Sequence, residues 1–141
     1  HPKLLLSLAA YQLKANDPHS ASEALSDLPL NTAYEAEIKR MRAQVNLALR
    51  LGTEVDLTVV ENKVNADPHN LDARLGWGQA LLQSEDSVDD GVEVLIEVIQ
   101  RARESAQAEE ARETLVQLFG SLNPADSRVS SYRRQLARAL H

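Results

Sequence analysis

Paired carboxylates, four histidines and a tryptophan set between glycines are the residues whose types could do chemistry in this 141-residue chain. Neighbouring carboxylates can work as acid and base, and the candidates are Asp89-Asp90 and Glu109-Glu110. Both pairs fall in the first turn of a predicted helix, where the helix dipole already favours negative charge. That local role accounts for them without catalysis. Two histidines hold a metal ion when they sit three or four residues apart on one helix face. His1 and His141 are terminal, and His19 and His69 lie in loops beside prolines, so no pair has that spacing. No serine stands in a nucleophile-elbow pattern, and Gly76-Trp77-Gly78 lacks the lysine of a phosphate loop. With no cysteine, disulfides, thiolate metal sites and thiol chemistry are excluded from these residues. The expectation is a non-enzymatic chain with no catalytic residue, no cofactor and no metal.

What remains is binding chemistry. Each glycine beside Trp77 costs a helix about 1 kcal/mol relative to alanine. The favoured reading is close helix packing, with the indole filling the gap that the missing side chains leave. The functional alternative makes Trp77 an aromatic anchor in a peptide groove. The last segment, Ser130-Ser-Tyr-Arg-Arg-Gln-Leu-Ala-Arg-Ala-Leu140, is the stronger signal. Val129, Tyr132, Leu136 and Leu140 recur at helical spacing and form one apolar stripe, with Arg134 and Arg138 on the opposite face. Residues 125–141 hold four arginines and one acid, a balance of +3 in a chain of net charge −6. Such a helix caps the apolar end of an acidic body, presents itself to a partner, or does both. Tyr132, Arg133, Arg134, Leu136, Arg138 and Leu140 are therefore the candidate protein-binding residues. Of these, Tyr132 and Leu136 are expected mostly to seal the body, while Arg134, Arg138 and Leu140 reach outward.

The elements that must position these residues are helical. The chain is 43% hydrophobic but only 4% aromatic, so its core is built from Leu, Val, Ile and Ala, which favours helix-on-helix packing. Pro2 to about Asn16 reads as a helix with Leu5, Leu8 and Ala9 on one face and Leu6 and Leu13 on another. Ser20-Ala-Ser-Glu23 has the form of a capping box opening a helix to about Leu28, and Thr32-Ala-Tyr-Glu35 repeats it for a longer helix ending at Gly52. Thr53, Asn70 and Ser87 can cap the next three helices. Val88, Val92, Leu95, Ile96 and Ile99 face inward on the sixth, and Val94 and Val98 give it a second apolar face. A seventh helix from about Ala106 carries Leu115, Leu118, Phe119 and Leu122, and the arginine-rich helix follows Asn123-Pro124. Short loops between eight helices imply antiparallel hairpins within one domain spanning 1–141.

Asp67-Pro-His-Asn70, then Leu75, Gly78 and Leu82, then Gly91, Leu95 and Val98 follow the large-small rhythm of a tetratricopeptide repeat, with Gly91 where the repeat normally has alanine. The same rhythm is fainter over Leu5 to Leu28, with Ala24 as the small residue. The fold expected is an all-α solenoid of degenerate tetratricopeptide-like hairpins with a C-terminal capping helix. The order Asp67-Pro-His-Asn-Leu-Asp-Ala, Asp90-Gly-Val-Glu-Val-Leu-Ile, Ala111-Arg-Glu-Thr-Leu-Val-Gln-Leu-Phe119 and Ser131-Tyr-Arg-Arg-Gln-Leu136 resembles one family more specifically. It is similar to the C-terminal helical region of the bacterial thioredoxin-like co-chaperones of the YbbN/CnoX type. The resemblance covers nearly the whole chain and is clearest from Asp67 onward.

That resemblance implies a cytoplasmic co-chaperone that holds unfolded client proteins and passes them to a GroEL-type chaperonin, and it extends to a DnaK-type chaperone. It also implies an upstream thioredoxin-fold domain that these residues do not contain. The start at His1-Pro2, without an initiator methionine, fits a fragment or a processed product. Two other readings stay open: a scaffold for one folded partner or peptide, and a regulatory domain positioning a catalytic domain outside these residues. The acidic balance argues against general nucleic-acid binding, and no apolar run is long enough to span a membrane.

Overall fold

Proline occupies the first turn of α1 (Pro2–Lys14) and of α2 (Pro18–Leu25), where its missing N–H leaves no helical bond unmade. The computed structural model describes residues 1–29 and 33–141. Among the described residues there are eight α-helices, one short 3-10 turn and no strand. They form two compact units. One comprises His1–Gly52 with Gln117–Asp126, and the other Thr53–Val116 with Ser127–His141.

The first unit is built on α1, α2 and α3 (Glu35–Leu51). Leu6, Ala9, Ala21, Leu25, Ile38 and Val45 form its buried centre, and Leu5, Leu13, Ala24, Tyr34, Met41 and Leu49 pack around it. Arg42 ties α3 to the end of α2, donating to the carbonyl oxygens of Leu25 at 3.0 Å and Leu28 at 2.8 Å. Gly52, with φ of 69°, ends α3 as expected, its N–H donating to the Ala48 carbonyl oxygen.

Local details in this unit differ from the sequence expectation. The cap of α2 is Asp17, whose carboxylate accepts from the Ser20 N–H at 3.1 Å. Pro18 fits the first helical position, so the helix starts before the Ser20 box can act. The helix also stops at Leu25, and Ser26–Leu28 form a turn. Leu8 does not share a buried face with Ala9: it is 45% exposed, because the inward face of α1 is centred on Leu6, Ala9 and Leu13. The small residue fully buried on α2 is Ala21 rather than Ala24. The capping box at Thr32 lies outside the described residues.

The second unit holds α4 (Leu57–Ala66), α5 (Leu71–Leu81), α6 (Val88–Arg101), α8 (Arg128–Leu140) and the first part of α7 (Ala106–Ser121). Asn70 caps α5 as expected, accepting from the Ala73 N–H at 3.1 Å. Asp56, not Thr53, caps α4. Ser87 stands at the start of α6, but its hydroxyl donates back to the Leu81 carbonyl at 2.6 Å instead of capping. The 3-10 turn Glu85–Ser87 leads directly into α6 and turns that side chain toward α5. The predicted two-sided burial of α6 holds: Val88, Val92, Val94, Leu95, Ile96, Val98 and Ile99 are all buried.

α5 seats on one of those faces through paired glycines. A Cβ on Gly91 would lie 2.7 Å from Leu82 Cδ2 and 3.0 Å from the Gly78 carbonyl oxygen, so only glycine allows the two backbones this close. Gln79 joins α5 to α7, donating to the oxygen of the fully buried Thr114 at 3.2 Å and to Glu110 at 3.4 Å.

Candidate protein-binding site

Val129, Tyr132, Leu136 and Ala139 follow the three-four rhythm along α8 and are all buried. α8 packs on α6, on the face that carries Asp89 and, at helical spacing, Val92 and Ile96. The Tyr132 hydroxyl donates to Asp89 Oδ1, and Arg128 pairs with Glu85 at 2.9 Å. Burial pushes the Tyr132 phenol up from 10.0 to about 12, and its bond to the Asp89 carboxylate acts in the same direction. Asp89 thus does more than complement the helix dipole. It receives the tyrosine that holds α8 in place, a partnership no spacing in the sequence could announce. Ala139, three residues after Leu136, is buried, whereas the spacing of the larger side chains extends the stripe to Leu140.

The other side of α8 faces solvent. Arg133, Arg134, Arg138 and Leu140 are exposed, Leu140 to 47%. α8 therefore combines a buried seam with an outward surface of three guanidinium groups and one leucine. Planar guanidinium groups suit bidentate recognition of carboxylates.

Trp77 lies on α5 and is half-buried, with its Nε1 shielded from solvent and without a hydrogen-bond partner. A shallow depression of about 450 Å³ runs between α4 and α5, and Val60, Lys63, Ala66, Ala73 and Gly76 line it while the indole does not. The two glycines beside Trp77 have separate roles. Gly78 lies against Leu95 and Val94 of α6, whereas a Cβ on Gly76 would meet nothing within 4 Å. Close packing therefore explains Gly78, and the structure gives no account of Gly76 as a packing residue.

Among the described residues no group of three or more His, Asp or Glu side chains could hold a metal ion, and no helix is long and apolar enough to cross a membrane.

Helices paired through small residues, capped by a helix with one buried and one polar face, define an all-α repeat module that binds other proteins. The family of tetratricopeptide repeats matches residues 50–141, more than half of the chain, and the chain belongs to that family. No curated protein and no solved structure gives a match.

Proposed function

We propose that this chain is the protein-binding module of a thioredoxin-like co-chaperone of the YbbN/CnoX type. It holds unfolding client proteins on its helical surface and docks through α8 to a GroEL-type chaperonin, with a DnaK-type chaperone as a further recipient. The reading rests on the order of motifs from Asp67 to Leu136 and on one structural observation. On α8, Val129, Tyr132, Leu136 and Ala139 are taken up by the fold, while Arg134, Arg138 and Leu140 are exposed. Leu140, 47% exposed at the last turn, adds an apolar side chain beside the exposed arginines.

The test is a chaperonin pull-down with the full chain and with the double variant Arg134→Glu, Arg138→Glu. Both side chains are exposed, so the apolar seam and the fold stay intact. Binding by the parent chain and its loss in the variant support docking through α8. Two loose exposed pairs, at about 0.2–1 kcal/mol each, account for a loss of about thirtyfold at most. A larger loss marks a true interface, and equal binding of both proteins contradicts the docking role. Suppression of aggregation of a denatured client by the same chain tests the holding role separately.

A further inference from the structure

We propose that α1 carries a second docking surface, formed by Leu4, Leu8 and Tyr11, which takes an amphipathic helix of another protein bearing carboxylates beside its apolar row. This surface lies in the first unit and does not depend on the docking role given to α8. Leu4 and Tyr11 are 71% exposed and Leu8 45%, and their spacing of four and three residues sets them in one row. Single exposed leucines are ordinary, but three large apolar side chains in register along a helix of 13 residues form a stripe. The opposite side of α1 is already buried through Leu6 and Ala9. A helix that is apolar on both sides belongs between two layers.

The same molecule shows how such a helix is satisfied. α6 is also apolar on two sides, and both are covered by helices, α5 through Gly78 and Gly91 and α8 through its buried seam. The second cover adds charge at its edge: basic α8 meets acidic groups beginning α6, through Arg128 with Glu85 and Tyr132 with Asp89. α1 offers the mirror image of that arrangement. Its row is flanked by Lys3 and Lys14, and residues 1–16 contain no acid in a chain of net charge −6. Among the described residues neither ammonium group takes part in an ion pair. The nearest acid in sequence, Asp17, is engaged in capping α2 through Ser20.

Charge complementarity therefore selects the occupant. A second copy of this chain, pairing α1 with α1, would set lysine against lysine. An anionic lipid surface would repel a chain of charge −6, and two lysines fall short of the four to eight that mark lipid-binding segments. A helix with glutamates or aspartates along its apolar row satisfies both the stripe and the lysines.

The experiment uses the full chain and two synthetic helical peptides of about four turns. Both carry leucines at the spacing of the α1 row, one with flanking glutamates and the other with lysines. Binding is followed by fluorescence anisotropy and by amide chemical shifts. The expected result is saturable binding of the glutamate peptide at least about tenfold tighter than the lysine peptide, with shifts confined to residues 3–15. The exposed-site variant Leu4→Ser, Tyr11→Ser should lose about tenfold or more with an unchanged circular dichroism spectrum. Lys3→Glu with Lys14→Glu should reverse the preference between the peptides. Equal binding of both peptides, shifts away from α1, or no saturation overturns the proposal. So does a dimer in sedimentation, or binding to phosphatidylserine vesicles, that the Leu4→Ser, Tyr11→Ser variant abolishes. Chaperonin binding by that variant is expected to stay at the parent level, which separates this surface from α8.

Discussion

Tyr132 of α8 donates its hydroxyl to Asp89 of α6, so the only aromatic residue of the arginine-rich helix faces its own fold and not a partner. Tyr132 is 4% exposed, and Arg128 pairs with Glu85 beside it. The docking proposed for α8 rests on the residues that this contact turns outward, and the contact itself becomes measurable through the phenol.

Burial raises the Tyr132 pKa from 10.0 to about 12, so folding favours the neutral phenol. Its contribution to stability is complete below pH 10 and is lost as pH rises through about 12. Tyr132→Phe removes a hydrogen bond to a carboxylate and should cost about 1.5–3 kcal/mol at neutral pH. The difference in melting temperature between parent and variant should be flat below pH 10 and shrink above it. A difference that is constant to pH 12 contradicts this assignment.

Two glycines on neighbouring helices should respond to alanine with opposite signs. At Gly91 the new methyl meets the Gly78 carbonyl oxygen at 3.0 Å and Leu81 Cβ at 3.1 Å, and a backbone oxygen cannot rotate aside. Overpacking of about 1–3 kcal/mol outweighs the helix propensity gained, so Gly91→Ala should lower the urea midpoint. At Gly76 nothing lies within 4 Å, and Gly76→Ala should raise the midpoint by up to about 1 kcal/mol. Shifts of the same sign in both variants would show that the paired approach at Gly78 and Gly91 is not what restricts residue 91.

Arg42 should control the stability of the first unit. Its guanidinium group serves the carbonyl oxygen of Leu25, which also accepts from the Leu28 N–H, and that of Leu28 just beyond α2. Arg42→Met keeps most of the aliphatic stem and removes both charged bonds, with an expected cost of about 1.5–3 kcal/mol. Hydrogen exchange should show faster opening of α2 amides. Unchanged exchange there would mean that water replaces the guanidinium group without loss.

Local signals along the chain were enough to place the elements and much of their inner faces. The helix ending at Gly52, the cap at Asn70, the doubly apolar sixth helix and the small residue at Gly91 were all legible, because periodicity, caps and glycine act within a few residues. Choices between near-equivalent local signals were not. Asp17 was taken over Ser20 and Asp56 over Thr53, since a neighbouring proline or the approach of the chain decides which oxygen reaches the free N–H groups. The matter of the terminal helix was likewise divided. Its apolar stripe and arginines could be read directly, but only tertiary packing set Tyr132 on Asp89, buried Ala139 and left Leu140 exposed. Exposure depends on what lies across from a helix face, and a helix cannot encode its neighbour. The row of Leu4, Leu8 and Tyr11 shows the same limit, for its spacing is written in the sequence and its exposure is not.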